Sequence, residues 1–373
     1  MSTHLDTLAH RIGTATTSDC RVVTGFDGFV DEMISLVGER RSLTEFTPVS
    51  DIATFGKLVS AAAGHSSLRE IIVNDMHPGG CAVNLADGLA SLGVRVDCFA
   101  TLGEPPHPAF HEIGSKCHSF HSWGREPGRT LAFEFADGKL MFSAVRQLAD
   151  FTPEAVRNFL ADGTYLKACS ESQVIALTDW TLYPHMTGVW QLLLQEVFSK
   201  LPHRPHFLID LVDPSSRSAP DILEMAGVLT DFEASGPLTL GLNGNEANIL
   251  CRLHGLDTVS PEGTAGETLA QAITLRERLG ISRVLIHRIT FAVSADQEEQ
   301  FTQAGPFCPN PKKSTGAGDR FNAGVTLGLA MGFSAADCLA LGCAVSGFFV
   351  RNARSAGRNE LAQFLREWSA DKM

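Results

Sequence analysis

From residue 174 onward, short apolar runs alternate with amphipathic stretches of helical period, and this rhythm limits the available folds more than any other feature. Val174-Ile175-Ala176-Leu177 precedes a helix near Val189–Phe198, and Phe207-Leu208-Ile209-Asp210-Leu211 precedes one over Ser218–Ala226. Leu238–Leu242 leads into a helix over Glu246–Leu253, and Val284-Leu285-Ile286 follows one over Leu269–Leu279. The amino-terminal part repeats the theme. Arg21–Asp27 reads as a strand entering a Gly-Phe-Asp-Gly turn, Cys81–Leu92 as a helix stopped by Gly93, and Val94–Ala100 as the next strand. Strands that are apolar throughout and separated by helices require burial on both faces, hence a mostly parallel sheet with helices on either side. The expected fold is an α/β sandwich forming one domain over residues 1–373.

Two stretches break the rhythm. Residues 32–75 hold a polar segment and a helix around Ile52–Ala63. Residues 120–145 include Arg129–Phe142, which reads as a hairpin turning at Asp137-Gly138. A small β-rich lid is expected from parts of 32–50 and 120–145, placed to close over a site and exclude water.

Net charge is −12, which opposes nonspecific binding of nucleic acid. The sequence has no apolar run long enough to span a membrane, and its start lacks the features of a secretory signal. Nine cysteines are scattered without a C-x-x-C pair, so the expectation is a reduced, cytoplasmic protein. His107, His111, Cys117, His118 and His121 form a metal-like group, with His107 and His111 at helical spacing. Neither C-x-x-C nor H-E-x-x-H supports zinc there.

The chemistry is concentrated in Ser314-Thr315-Gly316-Ala317-Gly318-Asp319-Arg320-Phe321-Asn322. Small residues leave backbone N–H groups bare where an apolar helix begins, which makes an anion site. The stretch is not a Walker A loop, and Phe321 stands where a dinucleotide fingerprint needs its third glycine. An aspartate beside bound anion is repulsive unless its carboxylate must meet a hydroxyl that receives the anion. The combination points to phosphoryl transfer onto an alcohol. A plain helix start with Asp319 serving the dipole is the competing reading.

This segment resembles the second signature of the ribokinase (PfkB) carbohydrate-kinase family, D-T-T-G-A-G-D-x-F. The resemblance implies a ribokinase-like sandwich with a lid and a sugar kinase that uses ATP and Mg²⁺. Asp319 is then the catalytic base, and Gly316, Ala317 and Gly318 are the anion hole, with Thr315 beside the phosphates. Met76-His77-Pro78-Gly79-Gly80-Cys81-Ala82-Val83-Asn84 resembles the first signature, which assigns Gly79, Gly80 and Asn84 to the sugar. The family also places a sugar-binding aspartate after the first strand. Asp31 fits best and Asp27 second. Asn243 and Glu246 match the N-x-x-E motif that orders Mg²⁺ through water, although the same spacing makes a helix capping box. Asp210-Leu211-Val212-Asp213-Pro214-Ser215-Ser216-Arg217 resembles a turn that brings an arginine near phosphate in some members; an exposed surface arginine fits equally. Dimerisation through the lid occurs in relatives.

Two departures matter. The nucleotide-binding T-L-G-x-x-G strand is replaced by Ile286-His287-Arg288-Ile289-Thr290-Phe291-Ala292, so Arg288 either pairs with donor phosphates or fills their pocket. Lys313 stands where the family carries an aspartate that helps hold a monovalent cation, which predicts turnover indifferent to K⁺. A nucleoside kinase, an ADP-dependent sugar kinase, a silent sugar-binding regulator and a dinucleotide-dependent oxidoreductase remain as competing functions.

Overall fold

A computed structural model describes residues 2–372. Its strands in chain order are β1 (Arg21–Phe26), β2 (Phe29–Arg40), β3 (Phe46–Pro48), β4 (Ile71–Gly79), β5 (Arg95–Ala100), β6 (Ser119–Ser122) and β7 (Gly128–Phe135). Then follow β8 (Gly138–Ala144), β9 (Val174–Thr178), β10 (His206–Asp210), β11 (Leu238–Asn243), β12 (Arg283–His287), β13 (Phe291–Ala295) and β14 (Gln300–Ala304). The main sheet has nine strands in the order β14-β13-β12-β11-β10-β9-β1-β5-β6. The run from β12 to β6 is parallel, and β13 and β14 add an antiparallel edge.

Successive residues of the central strands serve opposite faces, as the pleat requires. Val23, Ile175, Phe207 and Ile286 enter one buried cluster; Val22, Ala176, Leu208 and Leu285 enter the other. Helices cover both clusters, so the strands read as continuous apolar runs. The α/β sandwich expected from the sequence is therefore the fold observed.

A second, smaller sheet stands where the lid is expected, ordered β3-β2-β7-β8 with β4 also paired to β2. Its membership differs from the sequence expectation. β4, which the sequence expectation does not include, pairs antiparallel with β2 from Phe29↔Gly79 to Leu36↔Ile71. Residues 119–122 belong to the main sheet instead, where they extend β5. The hairpin is as expected, with Phe135 opposite Gly138.

The sheet order brings the carboxyl ends of β9, β10, β11 and β12 into a row, the usual position of a site in open parallel sheets. Asp179, Asp210, Asn243 and His287 stand there. The Ala317–Ala330 helix begins above them.

Candidate active site

The Ala317–Ala330 helix starts at Gly316, whose φ of +87° is left-handed and suits glycine. The Ala317 amide donates to Ser314 O at 3.0 Å and closes the turn, which corrects its assignment as an anion-hole donor. Among the described residues, no protein acceptor meets the amides of Gly318 and Asp319, so these first-turn donors remain for an anion. Thr315 lies half-buried within the turn.

Asp319 is 8% exposed. Burial pushes its pKa up to about 7, and the carboxylate of Asp210 adds to the rise. Arg320 and the Cys81 side chain, a hydrogen-bond partner, oppose it. Arg320, with no signal in the motif, is held by Asp87 and Ser355, each at 2.8 Å.

One residue of the Gly79–Asn84 segment meets Asp319 directly. Asn84 Nδ2 donates to Asp319 Oδ2 at 2.9 Å, so Asn84 of the Cys81–Ser91 helix fixes the direction of that carboxylate. Asp31 packs on Gly79 so closely that a Cβ there would lie 2.6 Å from its carboxylate. Burial raises the Asp31 pKa, opposed by a hydrogen bond from Thr130 and by Lys313. Gly80, at φ +97°, likewise leaves room for the Asp27 carbonyl.

Asp27 has its carboxylate occupied within the fold, which tells against its assignment to the sugar. It is 1% exposed, and its carboxylate accepts from the amides of Cys81 and Ala82 and from Thr178 Oγ1. This carboxylate caps the Cys81–Ser91 helix from across the chain.

Asn243 and Glu246 form the capping box. Asn243 accepts from the Glu246 amide at 3.0 Å, and Glu246 accepts from the Asn243 amide at 2.7 Å. Burial pushes the Glu246 pKa up to about 8, with further contributions from Asp210, Asp213 and Asp319. Asp210, held by Asn322 Nδ2 at 2.6 Å, thus crowds both Glu246 and Asp319 with negative charge. Such crowding fits a nearby divalent cation. Among the described residues no three ligating side chains converge on one point.

A cavity of about 890 Å³ opens from this point, lined by Asn243, His287, Arg288, Phe291, Ala317 and Gly318 among others. Its size suits a nucleotide. Arg288 Nη1 is tied to the carbonyls of Ser260 (2.7 Å) and Pro261 (3.0 Å), so the guanidinium closes the cavity wall. Its Nε has no partner. His287 was not singled out by the sequence, because the run that holds it departs from the motif expected there.

Arg217 is partly buried and tied to the fold. Its Nη1 donates to the carbonyls of Trp180, Thr181 and Tyr183, and the guanidinium lies 4.0 Å from the Trp180 ring centre. The histidine group is dispersed. His107 caps a short 3₁₀ turn, His118 bonds Asp97, and His121 stacks on Phe99. His107 and His111 therefore share no helix face, the turn intervening.

Comparison with known proteins agrees with this geometry. The family profile described as prokaryotic ketohexokinase matches residues 3–368. A ketohexokinase from Haloferax volcanii is 28% identical over 351 residues, covering 92% of this chain and 90% of the relative. Among solved structures, ribokinase from Thermotoga maritima aligns with a TM-score of 0.63 at 15% identity, covering 93% of this chain and 99% of its own. Adenosine kinase from Sinorhizobium meliloti gives 0.64 at 16%, covering 94% and 99%. No helix among the described residues is long and apolar enough to cross a membrane.

Proposed function

The chain belongs to the prokaryotic ketohexokinase family and is a sugar kinase, and we propose that it moves the terminal phosphoryl group of ATP onto a primary hydroxyl of a ketohexose. The observation that carries this reading is the bond between Asn84 and Asp319. It joins the proposed base and anion turn to the helix that follows Gly79-Gly80, so acceptor and donor share one cleft.

In this reading Asp31, Gly79, Gly80 and the amide oxygen of Asn84 grip the sugar. Asp319 receives the hydroxyl proton, and the amides of Gly318 and Asp319 hold charge on the phosphoryl oxygens. An alcohol is far less acidic than a carboxylic acid, so proton transfer comes late, as a loose transition state permits. A base with a pKa near 7 suits that task at neutral pH. Glu246 and Asp210 would hold Mg²⁺ through water, where it would neutralise donor phosphate charge.

Lys313 serves in place of a mobile cation. Its ammonium lies 5.8 Å from the Phe349 ring centre, and Arg320 lies 4.8 Å from the same centre. Two fixed positive groups there oppose entry of K⁺. A second copy of the chain is the protein partner we assign, docking on the lid through exposed Ile71, Val73, Met76, Met141 and Phe142. Nine unpaired cysteines support a reducing, cytoplasmic setting.

Purified protein with Mg²⁺, assayed with ATP or ADP against ketohexoses, aldoses and adenosine, tests the assignment. ATP-dependent phosphorylation of a ketohexose such as fructose is expected. Turnover confined to aldoses or nucleosides, or to ADP as donor, would overturn it.

A further inference from the structure

We infer that His287 holds the phosphate end of the donor nucleotide, donating a hydrogen bond from its imidazole N–H to a phosphate oxygen. The inference rests on the sugar-kinase reading and adds to it a positioning residue on the donor side.

His287 ends β12 and lines the cavity beside the start of the Ala317–Ala330 helix. The Cε1–Nε2 edge of its ring lies 3.5–3.6 Å from where a Cβ on Gly318 would sit. An anion bound by the Gly318 amide is therefore within reach of Nε2. Among the described residues the ring nitrogens make no hydrogen bond to protein, and the residue is partly open to the cavity. The ring is nonetheless fixed in direction, packed against Phe321 with centroids 5.1 Å apart. A preset donor without a partner, facing a cavity, is what a polar ligand would complete.

The ring's chemistry also fits. Burial pushes its pKa down to about 4, so it is neutral at pH 7 and carries one N–H. The proposal requires that proton on Nε2, the nitrogen at the Gly318 edge. Arg288 cannot take the same part with its Nη1, which is spent on Ser260 and Pro261. Apolar residues such as Val259, Pro306 and Val350 line other parts of the cavity and suit a base.

Calorimetric binding of ADP and of adenosine to the whole protein, with Mg²⁺ present, separates phosphate recognition from base recognition. His287→Phe keeps a ring against Phe321 and removes the N–H. ADP should bind about 10–100-fold more weakly, the value of a hydrogen bond to a charged group, while adenosine stays within twofold. His287→Gln, which restores an N–H at similar reach, should recover most of the ADP affinity. If the phenyl ring does not fit beneath Gly318, His287→Ala carries the same expectation. Equal weakening of ADP and adenosine, or unchanged ADP binding, would overturn the inference. A wild-type protein that turns over no sugar with ATP would defeat the sugar-kinase reading instead.

Discussion

Two helices start in one cleft, each after a glycine of positive φ, and the protein uses their amino-terminal ends in opposite ways. At Cys81–Ser91 the end is filled by the chain's own carboxylate, Asp27, which takes the amides of Cys81 and Ala82. At Ala317–Ala330 the amides of Gly318 and Asp319 find no acceptor in the fold. The nearest carboxylate there, Asp319, turns to Asn84 instead. Helix ends attract anions in general. Whether one becomes a structural clamp or a reaction centre depends on who supplies the negative charge.

The two aspartates should therefore fail differently when removed. Asp319→Ala should lower kcat by at least about 10²–10⁴-fold while leaving the melting temperature at or above that of the wild type, because it deletes a buried carboxylate whose burial outweighs the opposing charge of Arg320. Steady-state kinetics and a thermal melt check both halves. Asp27→Ala should do the reverse. It strands two amides and the Thr178 hydroxyl, costing about 2–4 kcal/mol of stability in denaturant titration, with kcat changed less than tenfold in the folded protein. Equal kinetic damage from both variants would erase the distinction.

The open end should also leave a mark on stability. The folded-state pKa of Asp319 lies above its unfolded value, so the folded state holds a proton that the unfolded chain has lost between about pH 4 and 7. Stability then falls as pH rises through that window. Asp319→Asn should remove this slope, gaining up to about 4 kcal/mol over the wild type at pH 8 and nothing near pH 4. Parallel pH dependence in the two proteins would sharpen the comparison against Asp319. The smallest expected effect is ionic: with Lys313 and Arg320 beside Phe349, turnover in KCl and NaCl should agree within twofold, and strong activation by potassium would remove Lys313 from its assigned part.

The sequence was legible where local pattern and tertiary role coincide. The strands β9 to β12 are apolar because both their faces are covered, so their positions could be read from the run of residues alone. The helix start at Gly316 could be read because small residues running into an apolar helical stretch mark one. The distinction between Asp27 and Asp31 could not. It depends on which carboxylate meets a helix start more than fifty residues away. β4 escaped notice because its polar residues sit on a strand of the smaller sheet that solvent reaches. Ala317 fell out of the anion set through a turn bond to Ser314 that composition does not encode. Arg288 and Arg217 were drawn away by carbonyls of distant loops.

The pH profile of kcat/KM for the sugar, at saturating ATP and Mg²⁺, tests the central claim most directly when wild type and Asp319→Ala are measured together. The wild type should lose activity about tenfold per pH unit below a pKa near 7, and the residual rate of the variant should lack that limb. A variant that retains the same acidic limb would place the titrating base elsewhere and contradict the account.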